Sequence, residues 1–534
     1  MAPQDLADIA GRHRAAWVGG QPCVLGVLGD FSGRTRDELP PVKERRFHDV
    51  RLDTVDTLMA WLRPVARVDL EDPSGGGARL RLALEFRSLG DFAPEALLQR
   101  VPLLAEAAAH INRLAAGPER DQHAQALSAW LDALLQAAPV RALDARWRAL
   151  HRLLASLPDL PGLRVRILDL SQSDLSREIK RYRGTAWDQS PLYRLIVRQE
   201  LGTWGGQPFN LLLGDYAFSH AGDDPQCLRG LANIAAAADC VFLAAAAPRL
   251  LGLAGHGQAA ALGAPQRLFQ AAAYAPWRAL RDDAHAARLA LVLPRVLARP
   301  PHRSVLHSAG GVLYEEQAGD PDRLPWAHAV YAVGARLFAD FALRASRAGL
   351  PDAPTGAAIT AGASWPQTLG GALEGRFDPQ VRRELETLGL IVLDQAPGSD
   401  HLRYAAATAL AAGSPDDLGW RMQCGRLMHG LRDLARHLHG ATLSEQDHAL
   451  AMRLWLQGFI DTAAGEGRCV DTATPLASAV LQASAIGREW VHRDMLLWQG
   501  LAVALQITLP PLRPGRSERC SSAAVFSTDG LAPG

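Results

Sequence analysis

The chain has 534 residues, 48% of them apolar and 21% charged, and its 56 basic and 56 acidic residues cancel to zero formal net charge. That length exceeds one ordinary hydrophobic core, and the composition excludes a globally disordered chain. The charge balance argues against a large polyanion-binding surface, so no nucleic-acid partner is expected.

Nearly all basic residues are Arg, with Lys only at Lys43 and Lys180, which together with the many Ala and Leu residues suggests a GC-rich bacterial genome. The cysteines, Cys23, Cys227, Cys240, Cys424, Cys469 and Cys520, lie far apart. No C-x-x-C pair occurs, so neither a zinc knuckle nor a redox motif is expected. Residues 1–20 carry Asp5, Asp8, Arg12 and Arg14 without an apolar core, unlike a signal peptide. The richest apolar stretch, 234–253, is interrupted by Asp239, Pro248 and Arg249 and does not suit a bilayer span. A cytoplasmic protein without membrane insertion is expected.

In chain order, residues 23–31 form an apolar run closed by turn residues, which predicts a buried strand. Residues 45–50 suit a short extended piece. Asp53 is placed to cap a helix in which Val55, Leu58, Met59 and Leu62 recur at helical spacing before Pro64. Residues 79–86 alternate, with Leu80, Leu82, Leu84 and Phe86 on one face of a half-buried strand. Pro94 opens a helix carrying Leu97, Leu98, Val101, Leu104 and Ala108 on one side.

The short polar stretch 117–122 reads as a linker, dividing a region 1–116, with a linker at 117–125, from a region 126–511. Residues 124–157 suit two helices separated near Pro139, and 163–170 another alternating strand. Helical stretches follow at 173–182 and 192–200, then a buried strand at 209–213 with a turn at Gly214-Asp215. An Ala-rich helix at 228–238 and a strand at 241–245 complete the middle region. Such alternation of strands and helices predicts a mixed α/β (α+β) fold. A helix near 327–341, a loop-rich stretch at 349–371, a largely helical 413–444 and a strand at 501–509 lead to residues 512–534. That last segment is rich in Ser, Gly, Pro and Arg and reads as a disordered tail.

No catalytic, cofactor or metal site emerges. The loop Gly202-Thr203-Trp204-Gly205-Gly206 precedes its strand and lacks Lys, the reverse of a phosphate-binding loop, so it reads as a structural turn. His429, His437 and His439 cannot converge from one helix, and no H-E-x-x-H occurs. The G-x-S-x-G elbow of α/β-hydrolases is missing. The pairs Asp223-Asp224 and Asp282-Asp283 suit helix starts or loops better than acid–base work.

Two resemblances give the chain a function. The motif Gly29-Asp30-Phe31-Ser32-Gly33, then Arg45-Arg46-Phe47, then Asp91-Phe92-Ala93-Pro94-Glu95 resemble, in order and spacing, the small sheath subunit TssB (VipA) of type VI secretion systems. From about residue 126 to 509 the chain is similar to the large subunit TssC (VipB, ImpC/EvpB-like). The carrying residues are Gly205-Gly206-Gln207-Pro208 leading into Gly214-Asp215-Tyr216-Ala217-Phe218, then Pro294-Arg295, then Arg426 and His429.

The resemblance implies a contractile tail-sheath fold in a natural fusion of two subunits that are normally separate, and a structural rather than enzymatic role. It implies a helical homo-oligomer that polymerises around an Hcp inner tube on a baseplate and contracts to drive effector injection. It also implies strand exchange between neighbours, with Val24, Leu25, Val27 and Leu28 in the first strand and Leu501, Val503, Leu505 and Ile507 in the last as candidates. The large subunit's extension recognised by the recycling ATPase ClpV is shortened or absent here, and residues 342–369 lack the family's Gly-Trp-Cys pattern. Those departures favour, as the alternative, a non-polymerising sheath-derived adaptor or cap. An enzyme with a dispersed site around His429 is the remote alternative.

Overall fold

The computed structural model describes residues 2–20, 22–73, 79–203, 205–317, 319–345, 371–396, 399, 401–412, 418–438 and 444–458, with the backbone of 359–360, 478–486, 500–508 and 519–527. The expectations for most of 346–370, for Trp204 and His439, and for 512–518 and 528–534 lie outside the described residues.

The chain opens with helix α1 (Pro3–Gly20) and strand β1 (Cys23–Gly29), followed by β2 (His48–Val50), α2 (Val55–Leu62) and the hairpin β3 (Val65–Glu71) and β4 (Arg79–Glu85). Helices α3 (Pro94–Arg100), α4 (Pro102–Arg113), α5 (Pro118–Leu135) and α6 (Ala138–Ser156) lead to β5 (Leu163–Asp169) and α7 (Gln172–Arg181). Then come β6 (Leu211–Phe218), α8 (Asp224–Ala237), β7 (Val241–Ala246) and β8 (Leu289–Leu293). Helix α9 (Val330–Ala345), strand β9 (Leu390–Val392), and helices α10 (Leu418–His437) and α11 (Glu445–Gln457) follow. Strands β10 (Ser478–Ile486), β11 (Gly500–Thr508) and β12 (Arg519–Ser527) close the described chain.

One seven-stranded sheet organises the molecule, in the order β9-β8-β7-β6-β1-β5-β2. All its pairings are parallel except β2 against β5. Parallel strands covered on both faces read as continuous apolar runs, which is why Val-Phe-Leu-Ala-Ala-Ala in β7 and Leu-Ala-Leu-Val-Leu in β8 show no alternation. Side chains of β1 alternate between two cores. Leu25 and Val27 join α6, α9 and the 66–111 segment on one face, while Val24 and Leu28 join α7 and α8 on the other. A third cluster packs Leu6, Ala10 and Trp17 of α1 against Met428, Leu431 and Trp455 of α10 and α11.

Several expectations need correction. The proposed linker 117–125 is the start of α5, with Gly117 at its N-cap, Pro118 in its first turn and Glu119 and Asp121 beside it. The polarity that suggests a linker is the charge preference of a helix N-terminus. Gly214-Asp215 is no turn: β6 runs through it, with a register shift against β7 between Leu213 and Ala217. The helix expected through 94–108 breaks at Val101 because Pro102 starts a new one. Asp53 does not cap α2; it pairs with Arg51, and Thr54 takes the cap position. Residues 519–527, expected within a disordered tail, form β12 paired antiparallel to β11.

Candidate assembly site

The residues matching the small-subunit motif sit at the carboxyl end of β1, where they meet the neighbouring strands. Asp30 accepts the Gly33 N–H at 3.0 Å, closing a turn in which Gly33 has φ +60. A β-carbon on Gly33 would stand 2.6 Å from the Val65 carbonyl oxygen, so the turn needs glycine for both conformation and space. The Ser32 N–H donates to Asp169 at the end of β5 (3.0 Å), and the Trp147 indole donates to the Phe31 carbonyl (3.0 Å). At the other end of β1, the Asn210 side chain accepts the Val24 N–H at 2.9 Å.

A buried ionic knot holds this end of the sheet. Arg146 of α6 donates to the Asp215 carboxylate and, through Nη1, to the Asp30 carbonyl at 2.5 Å. His328 Nδ1 lies 2.8 Å from the other Asp215 oxygen. Burial alone would raise the Asp215 pKa, but Arg146 and His328 hold it well below the usual carboxylate range. Asp30, with burial dominant, is pushed up. On the far side, Arg45 donates to Asp174 at 2.8 Å and to the Asp169 carbonyl at 3.2 Å. Arg45 and Arg146 therefore each connect segments from before and after residue 117.

Other motif residues are structural as well. Asp91 accepts the Arg87 N–H at 2.6 Å, and Phe92 stacks on Phe86 with centroids 4.0 Å apart. Pro94 starts α3. Gly205 has φ +76, and the Gly206 N–H returns to the Thr203 carbonyl at 3.2 Å, a turn that leads through buried Pro208 toward β6. Gly214 faces Phe242, whose ring a β-carbon would meet at 2.6 Å. The Tyr216 hydroxyl donates to the Leu170 carbonyl at 2.8 Å, and Phe218 is buried. Pro294 follows β8, and Arg295 makes a fork to Glu374 at 2.7 and 2.8 Å. Although burial raises it, Glu374 is held down to about 2 by Arg295 and His256.

Arg426 lies 4.8 Å over the Trp17 ring and donates to Cys23 Sγ at 3.0 Å. His429 Nε2 donates to the Ala238 carbonyl at 2.8 Å, and burial lowers its pKa to about 4. His437 instead faces His13, so the histidines of α10 do not converge. Among the described residues, no group of three or more His, Cys, Asp or Glu side chains is placed to hold a metal ion. No helix of the described residues is long and apolar enough to cross a membrane.

The strand-exchange candidates separate into two situations. Val24, Leu25, Val27 and Leu28 lie in the middle of the large sheet, with β1 paired to β5 on one side and β6 on the other. With both edges used inside the chain, that strand is not available to a neighbour, and its assignment to exchange is not kept. Leu501, Val503, Leu505 and Ile507 lie on β11, the middle strand of the terminal sheet, where both edges are likewise paired within the chain, so the same argument removes them as exchanging residues. The outer strands β10 and β12 each pair on one side only among the described residues.

Sequence reasoning misses the buried ion pairs. Arg299 forks between Asp144 (2.6 Å) and Glu316 (2.6 Å), and Asp239 accepts from Arg432 at 2.9 Å. A signal existed at Asp144, a carboxylate inside the apolar stripe Val140, Leu143 and Trp147 of α6.

Comparison with known proteins places these features in a family. Residues 121–410 match the family described as EvpB/VC_A0108, tail sheath N-terminal domain. Residues 20–143 match the one described as type VI secretion system, VipA, VC_A0107 or Hcp2. The type VI secretion system sheath protein TssC1 of Pseudomonas aeruginosa is 30% identical over 272 residues, 49% of this chain and 54% of that protein. The sheath protein TssB1 of the same organism is 28% identical over 83 residues, 16% of this chain and 48% of that protein. The chain thus spans about half the length of the curated relatives it matches. It belongs to the sheath proteins of type VI secretion systems, and joins a VipA/TssB region and a VipB/TssC region in one polypeptide.

Proposed function

We propose that this chain is a sheath protomer that polymerises into a helical tube around an Hcp-type inner tube in the cytoplasm and contracts to drive secretion. The observation that supports it best is the place of β1. A strand from the VipA-matching region is an interior member of the seven-stranded sheet, and its flanking strands β5 and β6 come from the VipB-matching region. The fused chain thereby supplies both subunit types at fixed stoichiometry in one folded unit, and the association step between them disappears.

Identical units in head-to-tail, non-closing contact build a helical tube, and contraction is a rigid-body change between two such packings. The terminal sheet is the element suited to keep units connected meanwhile. Its outer strands β10 and β12 offer backbone groups to a strand of a neighbouring copy. Baseplate attachment follows from the same role, and recycling by ClpV, whose recognised extension reads as shortened or absent in the sequence, would need another contact.

Expression of the full chain without separate TssB and TssC, viewed by negative-stain microscopy, tests this reading. Rods or tubes are expected. Discrete particles that never elongate, but bind a preformed TssB/TssC sheath, would replace it with the adaptor or cap role.

A further inference from the structure

A cavity of about 370 Å³ opens between the 36–45 loop, which belongs to the VipA-matching region, and helix α7 of the VipB-matching region. Its size falls within the range of small-ligand pockets. Its lining holds five cations, Arg36, Lys43, Arg45, Arg177 and Arg181, against three carboxylates, the exposed Asp37 and the buried Asp174 and Glu178, and these charges are unevenly paired. Arg45 and Asp174 satisfy one another at 2.8 Å, both almost wholly buried, and Arg177 stands 3.5 Å from the same carboxylate. Arg36 and Arg181 have no carboxylate partner among the described residues; Arg181 only lies 5.5 Å over the Tyr182 ring. Lys43 reaches only its exposed neighbour Glu44, at 3.9 Å. Among these groups Glu178 is nine-tenths buried, and its Oε2 accepts no hydrogen bond. Burial raises its pKa from the ordinary carboxylate value, against the lowering effect of Arg181 and Arg36.

We propose that this cavity binds a small oxyanion carrying two or more negative charges, held by Arg36, Lys43, Arg177 and Arg181 with Glu178 beneath it. Guanidinium forks match phosphate and carboxylate oxygens in fixed geometry, and an anion there relieves the mutual repulsion of the cations. Because one wall belongs to each region, the ligand clamps the VipA-matching loop onto the VipB-matching helix. This inference does not depend on polymerisation.

The test is calorimetric titration of the full chain, at low ionic strength, with inorganic phosphate and separately with citrate, chloride serving as control. Saturable binding of phosphate or citrate below about 10 mM is expected, and whichever binds more tightly identifies the anion as phosphate-like or polycarboxylate. The double variant Arg36→Ala/Arg181→Ala should weaken it by about tenfold or more, and Glu178→Gln should preserve or tighten it. Thermal unfolding of each variant checks folding, and anion-induced stabilisation provides a second readout. Absence of saturable binding to the wild-type chain, or binding unchanged in the folded double variant, would overturn the proposal.

Discussion

Arg146, in the middle of α6, donates to the Asp215 carboxylate within β6 and to the Asp30 carbonyl just beyond β1, so one guanidinium ties the end of β1 to the adjacent parallel strand. Those strands come from the two sequence regions. The Arg146→Ala variant leaves Asp215 buried with His328 as its remaining ionic partner, and a destabilisation of about 3 kcal/mol is expected in denaturant titration. Asp215→Asn should cost a comparable amount, and a double-mutant cycle should show strong non-additivity. Additive effects would mean that the two groups do not act as a pair.

The position of β1 predicts how the chain tolerates being divided. A fragment 1–116 loses both partner strands of β1, and a fragment 117–534 lacks an interior strand of its sheet, between β5 and β6. Neither should be soluble and folded alone, whereas co-expression should give a co-purifying pair with the circular dichroism of the intact chain. Two separately monodisperse fragments would contradict the shared sheet. For the same reason, deleting residues 24–28 should abolish folding rather than only assembly.

Acid sensitivity follows from buried histidines. Burial lowers His429 to about 4 and His302 to about 3, both below the ordinary histidine value of 6.5. The unfolded chain therefore binds protons that the folded chain refuses. Stability is fully present above pH 6.5 and falls as the pH drops from 6.5 toward 4, with a loss on the order of 3 kcal/mol for His429. Urea melts at pH 7, 5.5 and 4.5 should show it, and His429→Gln should flatten the slope. An unchanged slope in that variant would remove His429 from the account.

Glycine at position 33 is required by its positive φ and by the Val65 carbonyl 2.6 Å from a would-be β-carbon. Gly33→Ala should destabilise the chain by about 1–3 kcal/mol, whereas Gly11→Ala, in open space on α1, should be neutral or stabilising. Equal melting curves for the two variants would contradict the tight turn.

How far the sequence reveals this architecture depends on where each residue's partners lie. Strands β1, β5 and β7 are legible because their own apolar pattern reports burial. β3 is harder to see, since its inward positions start at the small Ala66 and its outward positions begin with the apolar Val65, which blurs the alternation. The start of α5 looks like a linker because helix N-termini and loops share polar residues. Buried ion pairs escape altogether: Asp215 lies 69 positions from Arg146, and Arg299 lies 155 from Asp144. The motif residues were legible as a set, but not their use. Val24 to Leu28 show that an apolar first strand does not say whether it pairs within the chain or with a neighbour.

In the function proposed above, each chain is a sheath unit joined to its neighbours through the terminal sheet. Negative-stain microscopy of the full chain beside a variant ending at residue 518, which lacks β12, tests it most directly. Long tubes are expected for the full chain and folded, non-polymeric particles for the truncated one. Full-length protein that stays monomeric at high concentration, or tubes unaffected by the truncation, would contradict it.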